Sequence, residues 1–459
     1  MPFAQGFLMQ ARLRCCDWSH YENDRRKIGE ALFAGRQVVD PLSQMVVSNS
    51  PGEELACARI WIADGFPAVQ PPLWQGEIYR HEKIRVAYLS ADFRPHAVAF
   101  LIAGVLEQHD KSAFETIGVS FGAAGESDIR ARIARSFDRF LDVRDKSDRE
   151  IAAMLKSMDI DIAVDLMGFT DGCRTGIFAH RPAPVQVNYL GYPGTMGADY
   201  MDYLMADRFL IPEWEEPRYI EKVVALPHTY QANDSKRVIA EATPTRAQAG
   251  LPEPGFVFCC FNNSFKILPR VFDIWMRLLA QVEGSVLWLL EDNAIVAGNL
   301  RREAKARGIA PERLVFAPRV LPAEHLARHR LADLFLDTLP YNAHTTGSDA
   351  LWAGLPIVTC PGSTFASRVA GSLLTAAGLP ETITDSLEAY EALALKLARN
   401  PPMLGQLKAK LAANRSRCPL FDTLRMTRHI EAAYRTMRER QRRGEAPRAF
   451  EVAAIPGPS

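Results

Sequence analysis

The sequence predicts an α/β protein of two Rossmann-like halves facing a cleft, preceded by a short helical segment. Two observations predict it. From residue 84, short apolar runs rich in β-branched residues alternate with helical segments, an order that demands right-handed crossovers and a mostly parallel sheet covered on both faces. A second alternating series of similar size begins after "LPEPG" at 251–255, and 459 residues are enough for two or three cores.

Residues 1–80 read as helical pieces that form no complete domain. In "NDRRKIGEALFAG", Ile28, Leu32 and Phe33 recur at helical spacing. Ser50-Pro51-Gly52-Glu53 is a capping box with proline at the first helical position. "QPPLWQ" (70–75) is a proline-bearing connector. The first half, 81–240, takes strands at 84–90, 114–121, 160–168, 184–191 and 222–227, with helices near 98–109, 127–136 and 147–158. The second half, 250–440, takes strands at 256–261, 285–290, 313–318, 333–338 and 356–360, with helices near 269–282, 297–307, 323–330, 347–353 and 366–377. Segments after 386 are helical to about 440, and residues 441–459 read as a flexible tail. The arginines at 435, 438, 440, 442 and 443 read as the solvated end of a helix.

Composition narrows the function classes. Lys plus Arg equals Asp plus Glu at 54 each, so nothing in the charge balance calls for nucleic acid or an anionic membrane. The start "MPFAQGFLMQARLRCC" lacks the basic-then-apolar plan of a signal peptide, and no window approaches the roughly 18–20 apolar residues of a spanning helix. The eight cysteines show no CxxC spacing, which fits a reduced, cytoplasmic protein without a zinc knuckle.

The candidates for chemistry lie where strands run into loops. His96 follows the first strand, just before a helix; its ordinary pKa near ~6.5 suits a general base, although a histidine that only caps the helix reads the same. Gly191, Gly194 and Gly197 let a loop approach a ligand, or simply turn. In the second half, Asn262-Asn263-Ser264-Phe265-Lys266 follows a strand, and Lys266 is placed to neutralise a diphosphate. His344-Thr345-Thr346 precedes a helix expected to start at Gly347, with Thr346 and Asp349 forming a capping-box variant whose free N–H groups suit a phosphate. A Walker motif, a GxGxxG after the first strand of either half and a DxD-like acidic pair are all absent, which argues against a P-loop enzyme or a usual dehydrogenase and requires no divalent ion.

Together the motifs "YLSADFRPHAVA", "RPAPVQVNYLGYPGTMGADYMDY", "FNNSFKI", "HTTGSDALWAGLPIVT" and "ASRVAGSLL" resemble the catalytic region of the protein O-GlcNAc transferase family, with its SPINDLY-type and bacterial relatives, over residues 10–440. The resemblance implies a GT-B fold and inverting transfer of a sugar to Ser or Thr hydroxyls of proteins. No metal or cofactor is implied, and UDP-GlcNAc is the donor substrate. It implies that His96 is the base or positions the acceptor and that Lys266 stabilises the departing diphosphate. His344, Thr345 and Thr346 bind phosphate, and Asp349 holds the ribose hydroxyls. His325 stacks on the base, with Arg319 and Arg328 nearby. Asn263 stands where the family usually has a glutamine near the phosphates, and Gly194 lies in the loop facing the sugar. The family usually carries tetratricopeptide repeats before this region, and no 34-residue repeat is visible here; a separate targeting partner could take their place. GDP-fucose as donor, a non-catalytic nucleotide-sugar-binding protein and a nucleotide-sugar epimerase are the rival readings. Partners are then the nucleotide sugar and protein acceptors, without nucleic acid or membrane.

Overall fold

A computed structural model describes residues 2–123 and 125–455. The chain divides into two compact units, Pro51–Lys236 with Asp422–Ser459, and Met1–Ser50 with Arg237–Phe421.

The unit starting at Pro51 carries an eight-stranded sheet: β1 Ile84–Ser90, β2 Phe114–Ser120, β3 Arg139–Asp142, β4 Ile162–Asp165, β5 Val185–Asn188, β6 Tyr203–Asp207 and β7 Lys222–Leu226, joined by a strand near the C-terminus. The spatial order runs β3-β2-β1-β4-β5-β6-β7, and every pairing is parallel. Strands 1, 2, 4, 5 and 7 lie at or within their expected ranges. The strands at 139–142 and 203–207 were not expected. The first is an edge strand with no fully buried residue, so it lacks the apolar run of an interior strand. The second is fully buried but is flanked by crossovers without an α-helix, which hides it from an alternation rule.

The other unit holds β8 Val257–Cys260, β9 Val286–Leu290, β10 Leu314–Ala317, β11 Leu334–Leu336 and β12 Ile357–Val358, in the order β10-β9-β8-β11-β12, all parallel. Both sheets therefore reverse strand order once, next to their first strand. Ligands of open parallel sheets bind at such a reversal, beyond the carboxyl ends of the strands.

The division departs from the expected boundaries in three places, each for a packing reason. The N-terminal 80 residues are shared between the units. Trp18 packs edge-on against Phe272 with centroids 5.2 Å apart, and Asn299 Nδ2 donates to the Cys15 carbonyl at 2.7 Å. Beyond Ser50 the chain serves the other unit, where Val69 N donates to Ala179 O at 2.9 Å and Tyr200 OH to Phe66 O at 3.0 Å. The helix Thr423–Arg442 belongs to the unit of β1–β7, packing on the helix Ala97–Gln108. Its Glu431 carboxylate lies 3.2 Å from His109 Nδ1 in a fully buried pair. The segment after it is not a free tail: β13, Phe450–Glu451, pairs with β7, and Arg440 lies over the Phe450 ring at 4.6 Å. Arg438 is buried and donates to His81 O at 2.6 Å. The arginine run is thus partly packing, because the aliphatic stem of an arginine can cover apolar surface while its head finds carbonyls. Residues 456–459 of the expected tail lie outside the described residues.

Candidate functional site

At the strand reversal between β8 and β11, the loop after β8 closes into a 3-10 turn, Ser264–Lys266, which sets the lysine side chain inward. Lys266 is 8% exposed; its Nζ donates to Asn342 O at 2.9 Å and sits 3.6 Å from the centre of the Tyr341 ring. Burial pulls its pKa down to about 7, with the Asp337 charge opposing that fall. The ammonium is therefore expensive to keep and easily drawn to an anion.

The helix beside it spans Thr345–Trp352, two residues earlier than expected, with His344 as the residue before its first turn. The expected capping box does not form. Thr346 Oγ1 donates instead to Asn262 Oδ1, and the Asp349 carboxylate pairs with Arg237. Tertiary partners outcompete the local cap, and the first-turn N–H groups, which no helix satisfies internally, stay available to an anion. His344 donates Nε2–H to the Ala366 carbonyl at 3.0 Å and packs on Tyr341; burial and the nearby Lys266 charge hold it neutral.

The helix Pro322–Arg328 brings His325 to an aromatic group made with Phe261 and His329, at centroid separations of 5.3 and 4.9 Å. Its Nδ1 faces the Arg328 guanidinium, which also lies over Phe261 at 4.5 Å. Burial and the surrounding cations pull the His325 pKa down to about 2, so the ring is a neutral flat surface. His329, next to it, feels the Asp349 charge, which ties this group to the helix start. Arg319, expected nearby, pairs with Asp292 at 2.7 Å. Lys266, His344, Thr345, Thr346, Asp349 and His325 thus belong to one unit, Lys266 in the turn after β8, His344 before the helix that holds Thr345, Thr346 and Asp349, and His325 in the helix Pro322–Arg328. Asn263 is exposed, whereas its neighbour Asn262 is buried and bridges Thr346 and Thr338.

In the other unit His96 lies at the reversal between β1 and β4, before the helix Ala97–Gln108. Its Nδ1 is 3.2 Å from Asp92 Oδ2 and 3.3 Å from Val98 N. The Val98 N–H donates to Nδ1 and caps the helix, which leaves the proton of the neutral ring on Nε2, and the Asp92 carboxylate beside Nδ1 pairs with the ring once it is charged. Burial lowers the His96 pKa while Asp92 opposes that fall. Gly194 is buried in a tightly tied turn: Asn188 Nδ2 donates to its carbonyl at 3.1 Å, and Glu221 receives Thr195 Oγ1–H at 2.7 Å. A side-chain carbon at Gly191 would sit 1.9 Å from Leu166 O, so that glycine serves close passage of the chain within the protein.

Sequence reasoning missed Asp92, Asn262, Arg237 and Asp337. Asp92 had a signal, four residues before His96 in the same loop; Arg237 had none. Among the described residues, no group of three or more His, Cys, Asp or Glu is placed to hold a metal ion, and no helix is long and apolar enough to cross a membrane.

Comparison with known proteins agrees with this architecture. The family described as Glycosyl transferase family 41 matches residues 70–243 and 236–430. The chain is 40% identical over 424 residues to the "probable UDP-N-acetylglucosamine--peptide N-acetylglucosaminyltransferase SEC" of Arabidopsis thaliana, covering 90% of this chain and 43% of that protein. It is 30% identical over 383 residues to the rice protein of the same description, SPINDLY, covering 82% of this chain and 41% of the relative. The chain therefore spans less than half the length of these relatives. A solved mutant of the Thermobaculum terrenum O-GlcNAc transferase superposes with a TM-score of 0.81 at 28% identity, covering 96% of this chain and 84% of that one. The expected GT-B class is the fold the chain has.

Proposed function

Because the chain belongs to glycosyl transferase family 41, we propose that it transfers N-acetylglucosamine from UDP-GlcNAc to Ser or Thr hydroxyls of proteins, with inversion and without a metal. The observation that carries the reading is the buried Lys266 ammonium beside the first turn of the helix Thr345–Trp352. The acceptor oxygen attacks the anomeric carbon as the bond to the diphosphate oxygen breaks, and negative charge grows on the leaving UDP. A preformed cation and helix-start N–H groups stabilise that charge, the task a divalent ion performs in other sites. Such groups act strongly because they are already oriented and shielded from water.

The remaining roles follow the chemistry of each side chain. His96 takes the hydroxyl proton, and the Asp92 carboxylate beside its ring favours the charged form that results. His325 offers a neutral face to the uracil, with Arg328 fixing its orientation. Asp349 accepts the ribose hydroxyls, for which it exchanges or shares Arg237. His344, Thr345 and Thr346 surround the phosphates, Asn263 approaches from the lysine loop, and the Gly194 loop lies on the sugar side. Protein acceptors are selected elsewhere on the chain or by a separate targeting partner.

The test is UDP release from UDP-GlcNAc with a protein extract as acceptor, run beside GDP-fucose and beside Lys266→Ala and His96→Ala. Sugar-dependent UDP release with labelled protein bands, reduced on the order of 10²-fold or more by each substitution, is the expected result. Turnover with GDP-fucose alone replaces the donor. Nucleotide binding without turnover of either donor overturns the enzyme reading.

A further inference from the structure

Asp337, at the end of β11, is 3% exposed and has no part in the roles assigned above. One carboxylate oxygen accepts the backbone N–H of Thr338 at 2.8 Å and of Ala343 at 2.6 Å; the other accepts Thr359 Oγ1–H at 2.6 Å. Its backbone carbonyl receives Tyr390 OH at 3.0 Å, and that hydroxyl receives Trp275 Nε1–H at 3.0 Å. The carboxylate is thus fixed from three sides.

Across the same turn, Lys266 Nζ donates to Asn342 O. The Asn342 carbonyl and the Ala343 N–H are the two ends of one planar peptide group, and in a trans peptide they point in opposite directions. Ammonium, peptide and carboxylate therefore form a chain of two hydrogen bonds. The carboxylate pulls on the N–H, the peptide polarises, and its carbonyl becomes a better acceptor for the ammonium.

We propose that Asp337 is a positioning residue for Lys266: through the Asn342–Ala343 peptide it keeps the ammonium charged and aimed at the helix start at Thr345. The proposal rests on the diphosphate-binding role given to Lys266 above. A neutral side chain would tie the loop as well, and a buried carboxylate with no cation near it costs several kcal/mol. The carboxylate is explained once it has a charge to serve. The Asp337 field is the leading influence opposing the fall of the Lys266 pKa, and Lys266 in turn opposes the rise of the Asp337 pKa, which burial drives to about 7.

The other titratable groups facing the pair are Cys260 at the end of β8, Cys360 after β12, Tyr341 and His344 in the loop, and Tyr390 from the helix Leu387–Arg399. Burial raises the pKa of both thiols and of the Tyr390 phenol, and His344 is held neutral. Between pH 6 and 8.5 the protein groups that titrate here are Lys266 and Asp337. The terminal phosphate of UDP, with a second pKa near ~6, titrates identically whichever variant it meets.

The experiment is calorimetric titration of the full chain with UDP from pH 6 to 8.5, for the wild type, Asp337→Asn and Thr359→Val. The asparagine keeps an oxygen for the Thr338 and Ala343 N–H groups, and the Thr359 hydroxyl can turn to accept its amide. The expected result is a fall of affinity with rising pH that moves about one unit lower in Asp337→Asn, giving roughly tenfold weaker binding at pH 7.5 that narrows to about twofold at pH 6. Thr359→Val removes one donor from the carboxylate, so it shows a smaller shift in the same direction if the asparagine variant does not fold. An equal loss at every pH, or none, overturns the positioning role. Titration of the Lys266 side chain by NMR in the free protein reads the same shift without a ligand. A shifted lysine in a protein that binds no UDP would uphold the link to Asp337 and sink the donor reading.

Discussion

Replacing Lys266 with methionine should make the protein more stable where it makes it inactive, by an amount that depends on pH. The folded-state pKa is about 7, and an unfolded lysine titrates near ~10.4. The sign follows from linkage: a lysine whose folded pKa is depressed costs stability fully below its folded pKa, and the cost vanishes as pH rises toward the unfolded value. The wild type therefore carries most of the penalty at pH 6.5 and little at pH 9.5, a difference of about 3 kcal/mol for a group this buried. Methionine has no such dependence. Its loss of the hydrogen bond to Asn342 O is the same at both pH values. At pH 9.5 the lysine is discharged in the wild type as well, so Asp337 stands without a cation in both proteins and adds no difference there. The midpoint of thermal unfolding of Lys266→Met relative to wild type should thus be more favourable at pH 6.5 than at pH 9.5 by roughly 6–12 °C, at about 2–4 °C per kcal/mol. Scanning fluorimetry at the two pH values measures it. A difference that stays constant over that range would show that Lys266 does not bear a buried charge, and retained UDP release would remove it from the proposed reaction.

Three further outcomes follow from particular contacts. Arg237→Ala leaves the Asp349 carboxylate buried and unpaired, so stability should fall by about 3 kcal/mol while UDP binds up to roughly tenfold tighter, because the carboxylate no longer has to be shared; weaker binding by calorimetry would place Arg237 among the ligand contacts. Asp92→Asn removes the charge that opposes the lowering of the His96 pKa, so the acidic limb of the rate–pH profile should move to lower pH, with turnover reduced on the order of 10²-fold; an unchanged profile would leave His96 as a helix cap. Gly191→Ala drives a carbon into Leu166 O and should yield little soluble protein, which an expression test with Gly298→Ala, where no atom lies within 4 Å, as a control would reveal.

Two parallel sheets and the loops that carry His96 and Lys266 were legible in the sequence, because apolar period and strand-end position are local properties that survive folding. The motifs at 88–99, 261–267 and 344–359 were legible for the same reason, each being contiguous. The strand Arg139–Asp142 and the strand Tyr203–Asp207 escaped, one for want of an apolar run and one for want of a helix on either side. The fate of the first 80 residues, of the last helix and of the segment that becomes β13 was settled only by packing partners far away in the chain.

The site divides along the same line. Sequence alone determined which residue types stand at the strand ends, and so which chemistry is within reach. Tertiary structure decided their states. Lys266 is easily discharged because it is buried against Tyr341 and Asn342; Thr346 and Asp349 abandon their local cap because Asn262 and Arg237 reach them first; and Asp337 matters because a single peptide group joins it to the lysine. Burial and hydrogen-bond partners set the charge on a side chain, and neither is a property of the residue's neighbours in the chain.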